Sequence, residues 1–150
     1  MFMIDLNFKN KYNHKINFIK NKKYIFDYLR KKNVLLTPEE WVRQNIISYL
    51  HNDLKVPISH IAVEKGFKVN GLDKRFDIVV FDRLGNISIL IECKSHKIKL
   101  NQKSLDQLIV YNMELNAPYL MLSNGLKHIF INYQNNNFEI IENIPLYSNL

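Results

Sequence analysis

Three charged residues lie in or beside two apolar segments of the sequence. Asp77 stands inside the apolar run 76–81, and Glu92 and Lys94 follow the apolar run 87–91. Positions i and i+2 of a strand project to the same face, so Glu92 and Lys94 are expected to point together. Phosphodiester hydrolysis needs carboxylates that hold a divalent metal and a positive group that aligns the attacking water. The residue types and their spacing therefore predict a metal-dependent phosphodiesterase site.

The same residues also fit a structural explanation. A Glu-x-Lys pair after an apolar strand is common as a solvated salt bridge at a sheet edge, so this short motif by itself has low specificity. A charged carboxylate within an apolar strand costs free energy unless it is paired or binds a ligand. Asp77 could therefore equally be held in a structural ion pair. The order and context of other polar residues must decide between the two explanations.

Two predicted helices supply those other residues. Glu39 lies three residues before Val42 on the inward stripe of the first helix, so it is expected to reach the site. Its alternative role is to interact with the helix dipole or with Arg43 four residues later. Gln107 and Tyr111 lie one turn apart on the second helix, where they could orient a metal ligand or a phosphate.

The elements that position these residues follow from local signals. Thr37-Pro38-Glu39-Glu40 is typical of an N-cap, a proline at the first helical position and a capping-box glutamate. It predicts the start of a helix that runs to about residue 53. Three strands follow, joined by Asn-Gly and Gly-Asn turns that favour an antiparallel meander, then a second helix, a strand and a closing hairpin. The predicted strands are 61–69, 75–82, 86–94, 119–123, 127–133 and 138–141, and the second helix is 101–116. The order is α-β-β-β-α-β-β-β.

Composition indicates one domain preceded by a basic segment. The 150 residues are 47% apolar, which is enough for one core. Residues 1–32 hold nine basic side chains against two acidic ones, and residues 1–36 are expected to form a basic arm or small hairpin before a domain at 37–150. Interleaved aromatic residues make the arm a candidate nucleic-acid contact, with Lys22 and Lys23 in it. The alternative is a merely solvated arm, because lysine and asparagine are abundant throughout.

Other functional classes find little support in the sequence. Cys93 is the only cysteine, so an intramolecular disulfide, a zinc ribbon and a CxxC redox centre are ruled out. Cys93 is expected to be a small buried side chain, and the five scattered histidines lack metal-ligand spacing. The apolar runs are too short for a membrane-spanning helix, so we expect a cytoplasmic location.

Five motifs taken together resemble a known family. Their order is similar to that of the PD-(D/E)xK nuclease superfamily, and more narrowly to the N-terminal domain of type I restriction enzyme R proteins, over roughly residues 24–132. The motifs are Thr37-Pro38-Glu39-Glu40-Trp41-Val42-Arg43-Gln44, Arg75-Phe76-Asp77-Ile78-Val79-Val80, Ile91-Glu92-Cys93-Lys94, Asp106-Gln107 to Tyr111-Asn112, and Asn124-Gly125.

This resemblance implies an α/β restriction-endonuclease-like core, α-β-β-β-α-β, with extra strands at the C-terminus. It also implies Mg²⁺-dependent cleavage of DNA, with Mn²⁺ as an alternative metal. The resemblance gives Asp77, Glu92 and the Cys93 carbonyl as metal ligands and Lys94 at the water. The helix positions of Glu39 and Gln107 and the basic arm add further candidates, so that the candidate residues fall into three groups. The candidate catalytic residues are Asp77, Glu92, Lys94, Glu39 and Gln107. The candidate metal ligands are Asp77, Glu92, Glu39 and the carbonyl of Cys93. The expected nucleic-acid contacts are Arg43, Tyr111, Lys22 and Lys23.

The sequence also departs from a complete R subunit. It has no G-x-x-x-x-G-K-[ST] motif for an ATP-driven motor, so a restriction role is expected to need partners in trans. A free-standing copy could serve repair or recombination, or be a domesticated remnant. Two other classes stay open: a catalytically silent nucleic-acid-binding or assembly module of the same fold, and a structural α+β domain with chance acids. The oligomeric state is not determined by the sequence.

Overall fold

The computed structural model describes residues 3–150 and contains two sheets and two α-helices in that range. The elements, in chain order, are β1 (Ile16–Ile19), β2 (Lys22–Asp27), β3 (Lys32–Leu35), α1 (Pro38–Ser48), β4 (Ile61–Val69), β5 (Leu72–Phe81), β6 (Ile87–Cys93), α2 (Gln102–Leu115), β7 (Tyr119–Ser123), β8 (His128–Gln134) and β9 (Asn137–Ile141). From α1 onward the order of helices and strands is the one that the sequence predicts.

The larger sheet has six strands in the order β4-β5-β6-β7-β8-β9. Strands β4, β5 and β6 form the expected antiparallel meander, while β6 and β7 are parallel. Parallel neighbours need a crossover, which α2 provides between them. Because β6 and β7 run in the same direction, their carboxyl ends, Cys93 and Ser123, lie side by side. Ligands of open α/β sheets bind at this edge.

Alternating residues of the central strands pack against a different helix on each face of the sheet. Ile78 and Ile91 belong to the cluster that includes Val42 and Ile46 of α1. The opposite face carries a second cluster, in which Val79 and Leu90 pack with the apolar stripe of α2. Both clusters are buried, so the central strands have no solvated face and read as continuous apolar runs.

The hairpin of β4 and β5 is longer than its neighbour β6. Its turn, Asn70-Gly71, has positive φ at both residues, as a two-residue hairpin turn requires. The pairing continues from Ile61 with Val80 to Val69 with Leu72, whereas β6 pairs with β5 only from Ile78 to Phe81. The end of the hairpin therefore projects beyond β6.

The N-terminal segment forms a sheet of its own. Strands β1, β2 and β3 are antiparallel, with the turn between β1 and β2 at Lys20 and Asn21, both of positive φ. Of the two forms expected for residues 1–36, a basic arm or a small hairpin, the structure shows a hairpin of β1 and β2. Strand β3 adds to it a strand that the sequence did not predict. Ile25 and Asp27 of β2 are fully buried, so the segment packs on the rest of the protein.

Several boundaries differ from the expected ones. The α-helical part of α1 ends at Ser48 and continues as a π-helical turn, Tyr49–Asp53, because Leu54 donates to the carbonyl of Tyr49 five residues earlier. Strand β5 begins at Leu72 rather than at residue 75. The segment after β9 was not predicted to pack, yet Ile144 and Tyr147 are buried against the α1 side of the sheet. Neither helix of the described chain is long and apolar enough to cross a membrane.

Candidate functional site

The two carboxylates on β5 and β6 lie across from each other. The register pairs Ile78 with Ile91, so one step further along the strands Asp77 faces Glu92. Side chains in this relation have Cβ atoms roughly 4.5–5.5 Å apart. The side chain of Glu92 is within hydrogen-bonding reach of Asp77. The pair lies at the carboxyl end of β6, next to the parallel strand β7.

A pocket opens beside this pair between β5, β6 and α2. Its volume is about 180 Å³. Polar side chains form most of its lining: Arg75, Glu92, Lys94, Ser104, Gln107 and Tyr111. Leu108 and Leu122 complete it. Gln107 Nε2 donates to the hydroxyl of Tyr111 at 2.7 Å, so the two α2 residues face the pocket as a connected pair. The structure thus brings together Glu92, Lys94, Gln107 and Tyr111.

Asp77 is held by one donor on each carboxylate oxygen. Arg43 Nη2 donates to Oδ1 at 2.9 Å, and the backbone N–H of Cys93 donates to Oδ2 at 2.7 Å. Each oxygen can accept a second bond, so the carboxylate keeps capacity for a further ligand. The sequence did not reveal either donor, since both lie far from Asp77 along the chain.

The carboxylates of the site repel one another. Burial, the negative charge of Asp77 and the hydrogen bond to it raise the pKa of Glu92 to about 8, and Lys94 opposes this rise. Burial and Asp77 also raise the pKa of Glu39, against the effects of Arg43 and Lys94. At neutral pH the pair Asp77 and Glu92 therefore holds a proton that a cation could replace.

Arg43 lies inside the protein rather than on a surface that could meet nucleic acid. Its residue is 6% exposed. Its Nη1 donates to Glu40 at 2.7 Å, and its Nη2 lies 3.4 Å from Glu39 in addition to its bond with Asp77. Burial disfavours the charged guanidinium, but Glu40 and Asp77 outweigh that effect and raise its pKa. Among the described residues no group accepts from the buried Nε of Arg43.

The two acids at the start of α1 have different surroundings. The hydroxyl of Thr37 accepts from the N–H of Glu40, which confirms the N-cap. The carboxylate of Glu40 is buried, at 7% exposure, and binds Arg30 and Arg43 instead of closing a capping box. Glu39 is 45% exposed at its side chain and lies 3.4 Å from Arg43, as its alternative role predicts. Its role as a ligand at the site stays a prediction.

The remaining candidates are placed as follows. Cys93 is buried in the cluster on the α1 side, and burial raises the pKa of its thiol, which fits a packing role for the side chain. Lys22 and Lys23 lie on β2 of the N-terminal sheet, outside the pocket. Within residues 3–150, no three His, Cys, Asp or Glu side chains already converge as a metal centre. A metal site that uses Asp77, Glu92 and Glu39 together would need the three carboxylates to converge further.

The fold and the site define a mixed α/β domain with an acid- and lysine-lined pocket at the carboxyl edge of its sheet. The family model for the N terminus of type I restriction enzyme R proteins (HSDR_N) matches residues 38–145. The chain therefore belongs to this family.

A solved structure supports the fold. A fragment titled as an HsdR subunit of a type I restriction enzyme from Vibrio vulnificus YJ016 superposes with a TM-score of 0.57 at 15% sequence identity. The match covers 75% of this chain and 24% of the other, so the present chain corresponds to about a quarter of that structure. No curated protein matches the chain. The comparison at this identity concerns the fold alone.

Proposed function

We propose that the chain is a Mg²⁺-dependent deoxyribonuclease domain of the PD-(D/E)xK type, with Mn²⁺ as an alternative metal. The observation that carries the proposal is that Asp77 lies opposite Glu92 on the neighbouring strand, while Glu92 and Lys94 line one polar pocket. All three residues fall within the region that matches the restriction-enzyme family. The raised pKa of Glu92 supports it, because perturbed carboxylates in a cleft are typical of functional sites.

The donor set suits a hard divalent cation. Mg²⁺ prefers carboxylate and carbonyl oxygens, which Asp77, Glu92, Glu39 and the Cys93 carbonyl would supply. When bound, the metal would polarise the scissile phosphate and favour deprotonation of the attacking water. Asp77 is already oriented by Arg43 and by the N–H of Cys93, whereas Glu92 must lose its proton to become a ligand.

Three pocket residues would act on the substrate. Lys94 shares the pocket with Glu92, so its ammonium can position the water and offset the negative charge that develops on the phosphate. Gln107 and Tyr111 are linked by a hydrogen bond and face the same space, where they can orient a phosphate oxygen. Lys94 follows β6, and Gln107 and Tyr111 lie on α2. These two elements therefore support the three proposed roles.

The family also suggests partners. We propose that the domain acts on DNA together with other subunits of a restriction or repair system, because its family is named for the R protein of type I restriction enzymes. Arg43 in its buried position is better suited to hold Asp77 than to contact DNA.

The test is DNA cleavage by the purified protein in Mg²⁺ or Mn²⁺, beside the variant Lys94→Ala. We expect cleavage by the parent protein and a loss of roughly 10²–10⁴-fold in the variant, because Lys94 acts mainly as charge develops. Lys97→Ala is the matched control, since Lys97 is exposed in the loop that follows Lys94. A variant that cleaves as fast as its parent contradicts the mechanism. DNA binding without metal-dependent cleavage by the parent would identify a catalytically silent module.

A further inference from the structure

A buried chain of alternating charges links the N-terminal sheet to the proposed site. Its members are Asp27, Arg30, Glu40, Arg43 and Asp77. The four successive N···O distances are 2.5, 2.6, 2.7 and 2.9 Å. The side chains are between 0% and 18% exposed, so little solvent separates the charges.

Each end of this chain is fixed to the backbone. Asp27 Oδ1 accepts from the N–H groups of Leu29 and Arg30, at 2.8 and 2.9 Å. At the other end, Asp77 Oδ2 accepts from the N–H of Cys93. Gln44 reinforces the middle, since its Nε2 lies 2.9 Å from both Asp27 Oδ2 and Glu40 Oε1. The array therefore holds its charges in one arrangement.

Arginine suits the two central positions because its guanidinium is a planar fork. Arg43 uses Nη1 for Glu40 and Nη2 for Asp77, so the position of Glu40 determines where Asp77 is held. Arg30 in turn uses Nε for Asp27 and Nη2 for Glu40. A lysine has a single ammonium at its tip and cannot reproduce both directions.

We propose that Arg43 is a positioning residue for Asp77, and that Glu40 and Arg30 connect this function to Asp27 of the N-terminal sheet. This inference rests on the proposed nuclease function, in which Asp77 must be held in position to bind the metal. The N-terminal sheet then helps to hold Asp77 in position, in addition to any contact that it makes with DNA. The competing explanation is that Arg43 only stabilises α1 through Glu40.

The backbone amide of Cys93 reports on Asp77 without metal or catalysis, because it donates to Asp77 Oδ2. The experiment measures hydrogen exchange of amides by NMR, in chelator, for the parent, Arg43→Lys and Arg30→Lys. If Arg43 positions Asp77, Cys93 exchange accelerates about tenfold or more in Arg43→Lys while Leu90 in the centre of β6 keeps its protection. Arg30→Lys should show a smaller change in the same direction.

Lys31→Gln is the control, because Lys31 is exposed next to Arg30 and is absent from the buried chain. Arg30→Lys also serves where Arg43→Lys is too unstable to study. Unchanged Cys93 exchange in both variants, with lower melting midpoints, overturns the proposal and leaves Arg43 with a structural role alone.

Mn²⁺ affinity, followed by electron paramagnetic resonance of the free ion, gives a second measurement. We expect Arg43→Lys to bind Mn²⁺ about tenfold more weakly than the parent, because Asp77 is no longer held beside Glu92. Equal or tighter binding would contradict positioning, and tighter binding would show that Arg43 competes with the metal. A parent that binds no Mn²⁺ refutes the proposed function, whereas the Cys93 exchange still decides the role of Arg43.

Discussion

At the residue scale, the surroundings of Glu92 on β6 raise the pKa of its carboxyl group. Burial and the negative charge of Asp77 both favour its protonated form, and the single cation of Lys94 only partly opposes them. In the unfolded chain neither influence remains, and the pKa returns to about 4.5. The site therefore contributes to the pH dependence of stability as well as to the proposed chemistry.

The sign of that dependence follows from the proton count. Between about pH 4.5 and pH 8 the native state keeps the Glu92 proton while the unfolded state has lost it, so the stability of the metal-free protein falls as pH rises through this window. We expect Glu92→Gln, which keeps the shape but cannot ionise, to remove this contribution. Above pH 8 the variant should be more stable by about 2–4 kcal/mol, or roughly 5–10 °C in melting midpoint.

Melting curves in chelator from pH 4 to pH 9 provide the measurement. Glu139→Gln is the matched control, because Glu139 is exposed on β9 and should leave the pH profile unchanged. If the profiles of the parent and Glu92→Gln run parallel across the whole range, Glu92 is ionised in the native protein at neutral pH. In that case Asp77 and burial do not raise the pKa of Glu92.

At the element scale, the projecting hairpin of β4 and β5 supplies cations next to the pocket. Arg75 lines the pocket and is exposed, and the ammonium of Lys74 lies 5.0 Å from the ring centroid of Tyr111. The hairpin extends past β6, because β6 pairs with β5 only from Ile78 to Phe81. Lys74 and Arg75 lie in the part of β5 beyond this pairing, and they border the site. Arg75 is thus suited to contact a phosphate of bound DNA.

Arg75→Gln should weaken DNA binding and reduce the salt dependence. Each lost phosphate contact lowers the slope of log K against log salt by about 0.9 on duplex DNA. Lys22→Gln tests the N-terminal contact in the same way, and we expect a similar loss if DNA reaches that sheet. Binding titrations at several salt concentrations, in chelator to prevent cleavage, give the slopes.

Lys55→Gln removes one positive charge beyond the far end of α1 and should leave the slope unchanged. A slope that is equally reduced by all three substitutions would mean that net charge rather than a defined surface drives binding. Deleting residues 1–32 would be a poorer test, because it would also remove Asp27 and Arg30 from the buried ionic chain.

At the scale of the whole molecule, the N-terminal segment, α1 and the turn after β7 meet at Gly125. Its φ is +82°, and a Cβ at this position would lie 2.8 Å from a methyl group of Leu6 and 3.0 Å from one of Val42. The carbonyl of Gly125 also accepts from the N–H of Asn7 at 2.8 Å. The left-handed backbone conformation therefore favours glycine here, and an added Cβ would force the side chain of Leu6 to shift.

Gly125→Ala should destabilise the protein by about 1–3 kcal/mol, because alanine is strained at this φ and its methyl group would crowd the side chains of Leu6 and Val42. Gly85→Ala is the control: its φ is +83°, but nothing lies within 4 Å of the added methyl group. Thermal melts of the two variants separate the cost of the contact from the cost of the backbone conformation. Equal losses of stability would show that the N-terminal segment does not pack tightly at this point.

Local patterns in the sequence were sufficient for much of the fold. The alternation of strands, the helical stripes, the N-cap at Thr37 and the Asn-Gly turn at residues 70–71 predict the element order, because these signals depend on residues close together in the chain. The strand spacing also predicts that Glu92 and Lys94 share one side, and the pocket contains both.

Tertiary structure alone decided how the charges of the site are partnered. The bond between Arg43 and Asp77 joins residues 34 positions apart, and the buried contact between Arg30 and Glu40 joins an N-terminal turn to a helix. Sequence spacing indicated a contact of Arg43 with Glu39 and a capping role for Glu40, because both expectations rest on residues close together in α1. Which carboxylate a guanidinium reaches depends on how the sheets and α1 pack, and that packing brings together residues with no relation in the sequence.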